Sequence, residues 1–254
     1  MSRARFLAEG RLFEGEWRFE ERVLLTSGGR RFSEEEVTFL PPVKPRTVVG
    51  LALNFADHAG ELSLEVPKEP ILFIKPLSSL VGHRAPVRYP RGVQYMHYEG
   101  ELAVVVGKEI RRLRAREAKE AVMGFTLAND VTVRDFVGNF YRPPVRAKGF
   151  DTFGPLGPAL YSWDEVGDPG NLPLEVRVNG EVRQRGKTSD WLFGIGDVLE
   201  FITSFMTLYP GDVVLMGTPP GISPVKPGDV MEVAIPGLAV LQNEVVAEGG
   251  LDDA

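Results

Sequence analysis

A chain of 254 residues, 43% hydrophobic and 25% charged, is long enough for one large domain, or one domain with a small appendage, and can bury a core without staples. It carries 29 basic against 35 acidic residues, a net charge of −6 with no basic run, which excludes a protein built to grip nucleic-acid phosphates. It has no cysteine, which excludes disulfides, zinc thiolates, iron–sulfur clusters and cysteine nucleophiles. Residues 1–10 lack the apolar stretch of a signal peptide, and no window approaches the roughly 18 apolar residues of a membrane span. A cytoplasmic protein with no membrane partner is expected. With 28 Gly and 20 Pro the chain is punctuated often, which favours strands and turns over long helices.

In chain order, Phe13–Phe19 alternates apolar and polar residues, the pattern of a half-buried strand. Val23–Thr26 reads as a second strand ending at the turn Ser27-Gly28-Gly29. Leu40-Pro41-Pro42-Val43-Lys44-Pro45 is a stiff boundary, which divides the chain into a small N-terminal segment, 1–44, and a main domain, 45–254. Thr47–Leu51 and Leu102–Val106 read as buried strands. Leu113–Met123 reads as a helix closed by Gly124 in a left-handed conformation. Phe125–Ala128 resumes as strand, and Leu174–Val178 followed by Asn179-Gly180 is the clearest hairpin signal. Asp197–Glu200 resembles a capping box opening a helix that buries Leu199, Ile202, Phe205 and Met206 and stops at Pro210-Gly211. Val213–Met216 and Val230–Val233 are two further strands. The sum is a mixed, strand-dominated domain with a few helices.

Carboxylates are the first candidates for chemistry. Glu99 and Glu101 enter the Leu102–Val106 strand two residues apart and therefore share a face. Like charges so placed are either solvated at a strand edge or bridged by a cation. Asp130 ends the apolar run 125–129, where a strand leaves the core, and could complete an oxygen-only site of the kind that suits Mg²⁺, Mn²⁺ or Ca²⁺. Three histidines are present. His83 follows a glycine and is expected at the surface. His97 shares strand parity with Glu99 and is a candidate to support the same site. His58 and Glu61 are three apart, so on a short helix they share a face, as a surface ion pair or as an acid–base pair. Arg142, with Tyr141 beside it, is either a surface residue of a proline loop or a bidentate partner for a substrate carboxylate.

Six segments then occur in a telling order: GLALNFADHAGE (50–61), PILFIKPLSSL (70–80), HYEGELAVVVG (97–107), GFTLANDVTVRD (124–135), KGFDTFGPLGP (148–158) and PGDVVLMGTPPGI (210–222). On these the chain resembles the fumarylacetoacetate hydrolase family. The resemblance implies that family's β-roll, with a few peripheral helices and the small N-terminal β segment, usually as a homodimer. It implies one Mg²⁺ or Mn²⁺ per chain, held by Glu99, Glu101 and Asp130, and no organic cofactor. It turns His58 and Glu61 into a catalytic dyad on a segment that closes over substrate. It places Lys148 beside the metal, where it steadies developing negative charge, and Thr218 against the substrate carboxylate. Lys75, Ser78 and Ser79 also match, and are assigned to packing.

The family's substrates share a 2-oxo or 2-hydroxy-enoic acid head that can chelate one cation, so the resemblance implies reactions through a metal-stabilised enolate. Hydrolytic and keto-acid-decarboxylating members often carry Gln seven residues after the metal-binding Asp, where this chain has Val137. Residues 141–148 instead resemble the branch that degrades homoprotocatechuate. The expectation is therefore an isomerase/decarboxylase of 2-hydroxy-dienoate and 2-oxo-enoate dicarboxylates such as 2-hydroxyhepta-2,4-diene-1,7-dioate. Acylpyruvate hydrolase or oxaloacetate decarboxylase activity on the same metal, and a catalytically silent binding protein of the same fold, are the alternatives.

Overall fold

The computed structural model describes residues 2–55, 66–138 and 143–249. Its first five strands are β1 (Arg3–Ala8), β2 (Arg11–Arg18), β3 (Val23–Thr26), β4 (Arg31–Ser33) and β5 (Thr38–Leu40). The β1–β2 loop is Glu9-Gly10, both at positive φ (49° and 70°), the two-residue turn whose twist matches the flanking strands. β1 to β4 form an antiparallel meander, and β5 returns to pair with β1. Strands β1 to β5 belong to the same sheet as later strands of the chain. β1 also pairs with a strand of the main sheet, Arg3 opposite Leu160, and the Arg5 guanidinium donates 2.9 Å to the Pro41 carbonyl.

The strands that follow are β6 (Val48–Ala52), β7 (Ile71–Lys75), β8 (Leu80–Val81), β9 (Val87–Tyr89), β10 (Met96–His97), β11 (Gly100–Val106), β12 (Val122–Asn129), β13 (Thr132–Val133), β14 (Gly154–Tyr161), β15 (Pro173–Val178), β16 (Glu181–Lys187), β17 (Val213–Leu215), β18 (Pro224–Val225), β19 (Val230–Ile235) and β20 (Ala239–Ala247). The large sheet runs β4-β3-β2-β1-β14-β12-β11-β17-β6-β7, with β5 and β8 attached at its side. A second sheet runs β16-β15-β19-β20-β9, and a small third one β13-β10-β18. All seven residues of β11 are buried, which explains its unbroken apolar run. Leu102, Val104 and Val106 join the main core with Leu174, Val176 and Val233 of the second sheet, while Ala103 and Val105 pack on the opposite face with Val48, Val213 and Leu215. Asn179 (φ 54°) and Gly180 (φ 80°) turn β15 into β16, as the Asn-Gly signal predicts.

Four α-helices lie among the described residues: α1 (Ala118–Ala121), α2 (Val145–Lys148), α3 (Trp163–Val166) and α4 (Ile195–Phe205). None is long and apolar enough to cross a membrane. Two differ from the sequence expectation. Instead of a helix over 113–123, a 3-10 turn at 115–117 leads into α1, and β12 already begins at Val122. Gly124 lies inside that strand. It is glycine because a Cβ there would overlap the Tyr161 carbonyl of β14. Helix α4 starts at Ile195, and Asp197 is its third residue, accepting from the Gly194 N–H at 3.2 Å. Its buried face is Ile195, Val198, Leu199 and Ile202, and Phe205 at the C-terminal end is exposed.

His83 is the third correction. It is 6% exposed, not a surface residue. Its ring lies edge-on to Phe39 at 4.9 Å, and Nδ1 accepts from the Gln242 N–H at 3.0 Å, so it ties the N-terminal strands to β20. Burial, reinforced by Arg84 and Arg22, pushes its pKa down from 6.5 to about 3. The folded protein thus keeps His83 neutral, whereas the unfolded chain takes up a proton below pH 6.5. This site's stability is complete above pH 6.5 and is lost toward pH 3, at about 1.4 kcal/mol per pH unit. Urea unfolding at pH 7 and pH 5 is expected to show the parent protein losing about 2 kcal/mol more over that interval than His83→Asn.

Candidate active site

The edge of β11 supplies two carboxylates and the end of β12 a third. Glu99 immediately precedes β11, Glu101 is its second residue, and Asp130 follows the last residue of β12. The register Gly100↔Asn129 brings them together. Glu99 is 5% exposed, Glu101 1% and Asp130 0%, and one ligand oxygen from each lies within 4.8 Å of the other two. Backbone and amide bonds hold the junction. The Asp130 N–H donates to the Glu99 carbonyl at 2.8 Å, and the Glu99 N–H donates to Asn129 Oδ1 at 2.9 Å.

Three cationic side chains crowd the same place. Lys75 Nζ, 1% exposed, donates to Asp130 Oδ1 at 2.6 Å and to the Lys148 carbonyl at 2.7 Å. Lys148, the last residue of α2, donates from Nζ to Glu99 Oε2 at 2.9 Å, to Asp130 Oδ2, and to Thr132 Oγ1 at 2.9 Å. Arg134 donates from Nη2 to Glu99 Oε1. Burial works against the Lys148 ammonium, but Asp130 and Glu99 outweigh it and its pKa is raised. Burial wins at Lys75, whose pKa is lowered. Glu101 stands apart. Among the described residues it makes no ion pair, and its Oε2 accepts only from the Gly217 N–H, at 2.6 Å. Burial pushes its carboxyl well up, with Asp130 and Glu99 adding like-charge repulsion. A buried carboxylate with no ion pair among the described residues, in an all-oxygen donor set, fits a hard divalent cation.

The family profile described as "Fumarylacetoacetate (FAA) hydrolase C-terminal" matches residues 47–246. The chain belongs to the fumarylacetoacetate hydrolase family. An uncharacterized protein of Archaeoglobus fulgidus is 42% identical over 242 residues, 95% of each chain. A 4-hydroxyphenylacetate degradation bifunctional isomerase/decarboxylase of Salmonella dublin is 43% identical over 217 residues, 85% of this chain and 51% of its own, so the chain spans about half that relative's length. Among solved structures, the 5-carboxymethyl-2-hydroxymuconate delta-isomerase of Mycobacterium smegmatis superposes with a TM-score of 0.87 at 34% identity, over 98% of this chain and 100% of that one. The strand-dominated architecture is that of the fumarylacetoacetate hydrolase neighbours.

Of the residues that the family resemblance singles out, the fold gathers Glu99, Glu101, Asp130 and Lys148 into one cluster. Thr218 lies next to it, but its hydroxyl donates to the Gly100 carbonyl at 2.9 Å and accepts from Gln184 Nε2 at 2.8 Å. His58, Glu61, Tyr141 and Arg142 lie outside the described residues. His97 sits on β10 opposite Thr132, and Val137 is exposed. Lys75 is a correction, because it faces Asp130 and does not merely fill space. A signal for this was present: in β7 the buried positions are Phe73 and Lys75, so Lys75 shares the inward parity of an apolar strand. Arg134 gave no such signal. It reaches Glu99 from a 3-10 turn that no periodicity marks.

Lys75→Met removes one of the two ammonium groups on the buried Asp130 carboxylate and leaves Lys148 as the other. Unfolding of the metal-free protein in urea is expected to show a loss below the roughly 3–5 kcal/mol that leaving a buried charge wholly unpaired costs, because Lys148 remains.

Proposed function

We propose that this chain is a divalent-metal-dependent isomerase/decarboxylase of 2-hydroxy-dienoate and 2-oxo-enoate dicarboxylates, with 2-hydroxyhepta-2,4-diene-1,7-dioate as its substrate in homoprotocatechuate catabolism. The observation that carries the proposal is Glu101, a fully buried carboxylate without a cationic partner among the described residues, beside two more carboxylates. The named activities of the Salmonella dublin and Mycobacterium smegmatis relatives support the substrate class. Val137, in place of a polar group that would position water, speaks against hydrolysis.

In this reading Glu99, Glu101 and Asp130 hold Mg²⁺ or Mn²⁺. Bound there, the ion would serve as a Lewis acid for the 2-oxo acid head. Lys148, kept protonated by Asp130 and Glu99, offers positive charge to an oxygen that becomes anionic. In isomerisation of the 2-hydroxy-dienoate a proton leaves the 2-hydroxyl oxygen and one is added to the far carbon of the diene, and in decarboxylation carbon dioxide leaves and a proton replaces it. His58, oriented by Glu61, is assigned those proton transfers. Arg142, Tyr141 and Thr218 are assigned to the substrate's carboxylates. A cytoplasmic homodimer belongs to the same reading. Edge strand β7 supports the dimer by leaving Ile71 and Ile74 exposed, an apolar edge of the kind proteins usually cover.

The purified protein with Mg²⁺ is expected to remove the ultraviolet absorbance of 2-hydroxyhepta-2,4-diene-1,7-dioate. A chelator abolishes this, and Mg²⁺ or Mn²⁺ restores it. Glu101→Gln lowers kcat/KM by more than about 100-fold, beyond the usual effect of outer-shell changes. Turnover of acylpyruvate or oxaloacetate but not of the dienoate would move the assignment to hydrolase or keto-acid decarboxylase.

A further inference from the structure

Gln184 belongs to β16, the edge strand of the second sheet, yet its side chain is 1% exposed and reaches the first sheet. Its Oε1 accepts from the Gly100 N–H at 3.3 Å, and its Nε2 donates to Thr218 Oγ1 at 2.8 Å and to the Pro219 carbonyl. The Thr218 hydroxyl in turn donates to the Gly100 carbonyl at 2.9 Å. Both backbone groups of Gly100, the residue between Glu99 and Glu101, are therefore held by one amide and one hydroxyl. The same amide fixes the 217–219 segment, whose Gly217 N–H donates to Glu101 Oε2 at 2.6 Å.

The surroundings leave this arrangement little slack. A Cβ at Gly186 would overlap the Pro219 ring, and one at Gly100 would overlap the Val176 side chain of β15. The second sheet is thus pressed against the carboxylate-bearing segment, and Gln184 is where it makes polar contact. Only a primary amide meets the demand, with two donors and one acceptor on a side chain of this length. A glutamate would set an acceptor against the Pro219 carbonyl, and an apolar residue would leave the Gly100 N–H buried and unpaired.

We propose that Gln184 is the positioning residue of the metal site: through Gly100 and the Thr218 segment it sets the spacing of Glu99 and Glu101 and the orientation of Glu101. This rests on the metal reading above, and the experiment separates the two. Mn²⁺ binding is measured by calorimetry on the metal-free protein and on three variants. Gln184→Met, close in volume, is expected to weaken Mn²⁺ binding by about 10–100-fold, as loss of an outer partner does, while circular dichroism stays native. Asn243→Leu is the structural control. It removes an equally buried amide, bonded to the Gly82 and Ala85 carbonyls and to neither the carboxylates nor Gly100, and its Mn²⁺ affinity is expected to be unchanged. Glu101→Gln is expected to lose binding. Folded Gln184→Met with parental Mn²⁺ affinity, or an equal loss in Asn243→Leu, overturns the positioning role while leaving the metal site standing. Full Mn²⁺ binding by Glu101→Gln overturns the metal site itself. If Gln184→Met does not fold, Thr218→Val, isosteric and lacking the hydroxyl between Gln184 and Gly100, carries the test with the same expected and overturning results.

Discussion

Three buried carboxylates with ligand oxygens within 4.8 Å of one another are the constraint on which the rest of the site depends. Each would repel the others strongly in a medium that screens poorly, and desolvation alone opposes burying even one. Lys75, Lys148 and Arg134 answer two of the three. They converge on Asp130 and Glu99 and, among the described residues, leave Glu101 with a single backbone donor. The imbalance is local. The cluster has as many side-chain cations as carboxylates, but they are distributed so that one oxygen ligand remains available. A site arranged only for stability would have no reason to bury that third carboxylate.

The scaffold suits this load because the carboxylates sit at strand ends and not in loops. β11 is apolar on both faces, so packing holds it on both sides. Its first residues inherit that rigidity as the strand leaves the core. Pairing with β12 fixes the spacing between Glu99 and Asp130 through the register at Gly100 and Asn129. A slip of one residue would turn these side chains to the opposite face. The second sheet closes on the same point and brings Gln184 against the backbone between the two glutamates.

Much of this could be read along the chain wherever the signal is local. The Asn179-Gly180 turn, the apolar run of β11 and the shared parity of Glu99 and Glu101 are properties of neighbouring residues, and the fold keeps all three. The misreadings share one cause, since each residue's environment comes from a distant segment. His83 looks like a loop histidine until Phe39 and Gln242 enclose it. Gly124 looks like a helix terminator until β14 approaches the position where its Cβ would lie. Lys75 looks like packing until Asp130, 55 residues later, is brought to its ammonium.

By itself, then, the sequence determined the alternation that turns two glutamates to one face, the strand-rich architecture and the ordered segments that mark the family. Those follow from side-chain period, turn chemistry and residue type, which act over a few residues. Only the tertiary structure decided which charges meet. Three strands, a short helix and a 3-10 turn must converge before Lys75, Lys148 and Arg134 can neutralise two carboxylates and leave the third without an ion pair among the described residues. That convergence depends on the register of strands far apart in the chain, and no local pattern encodes it.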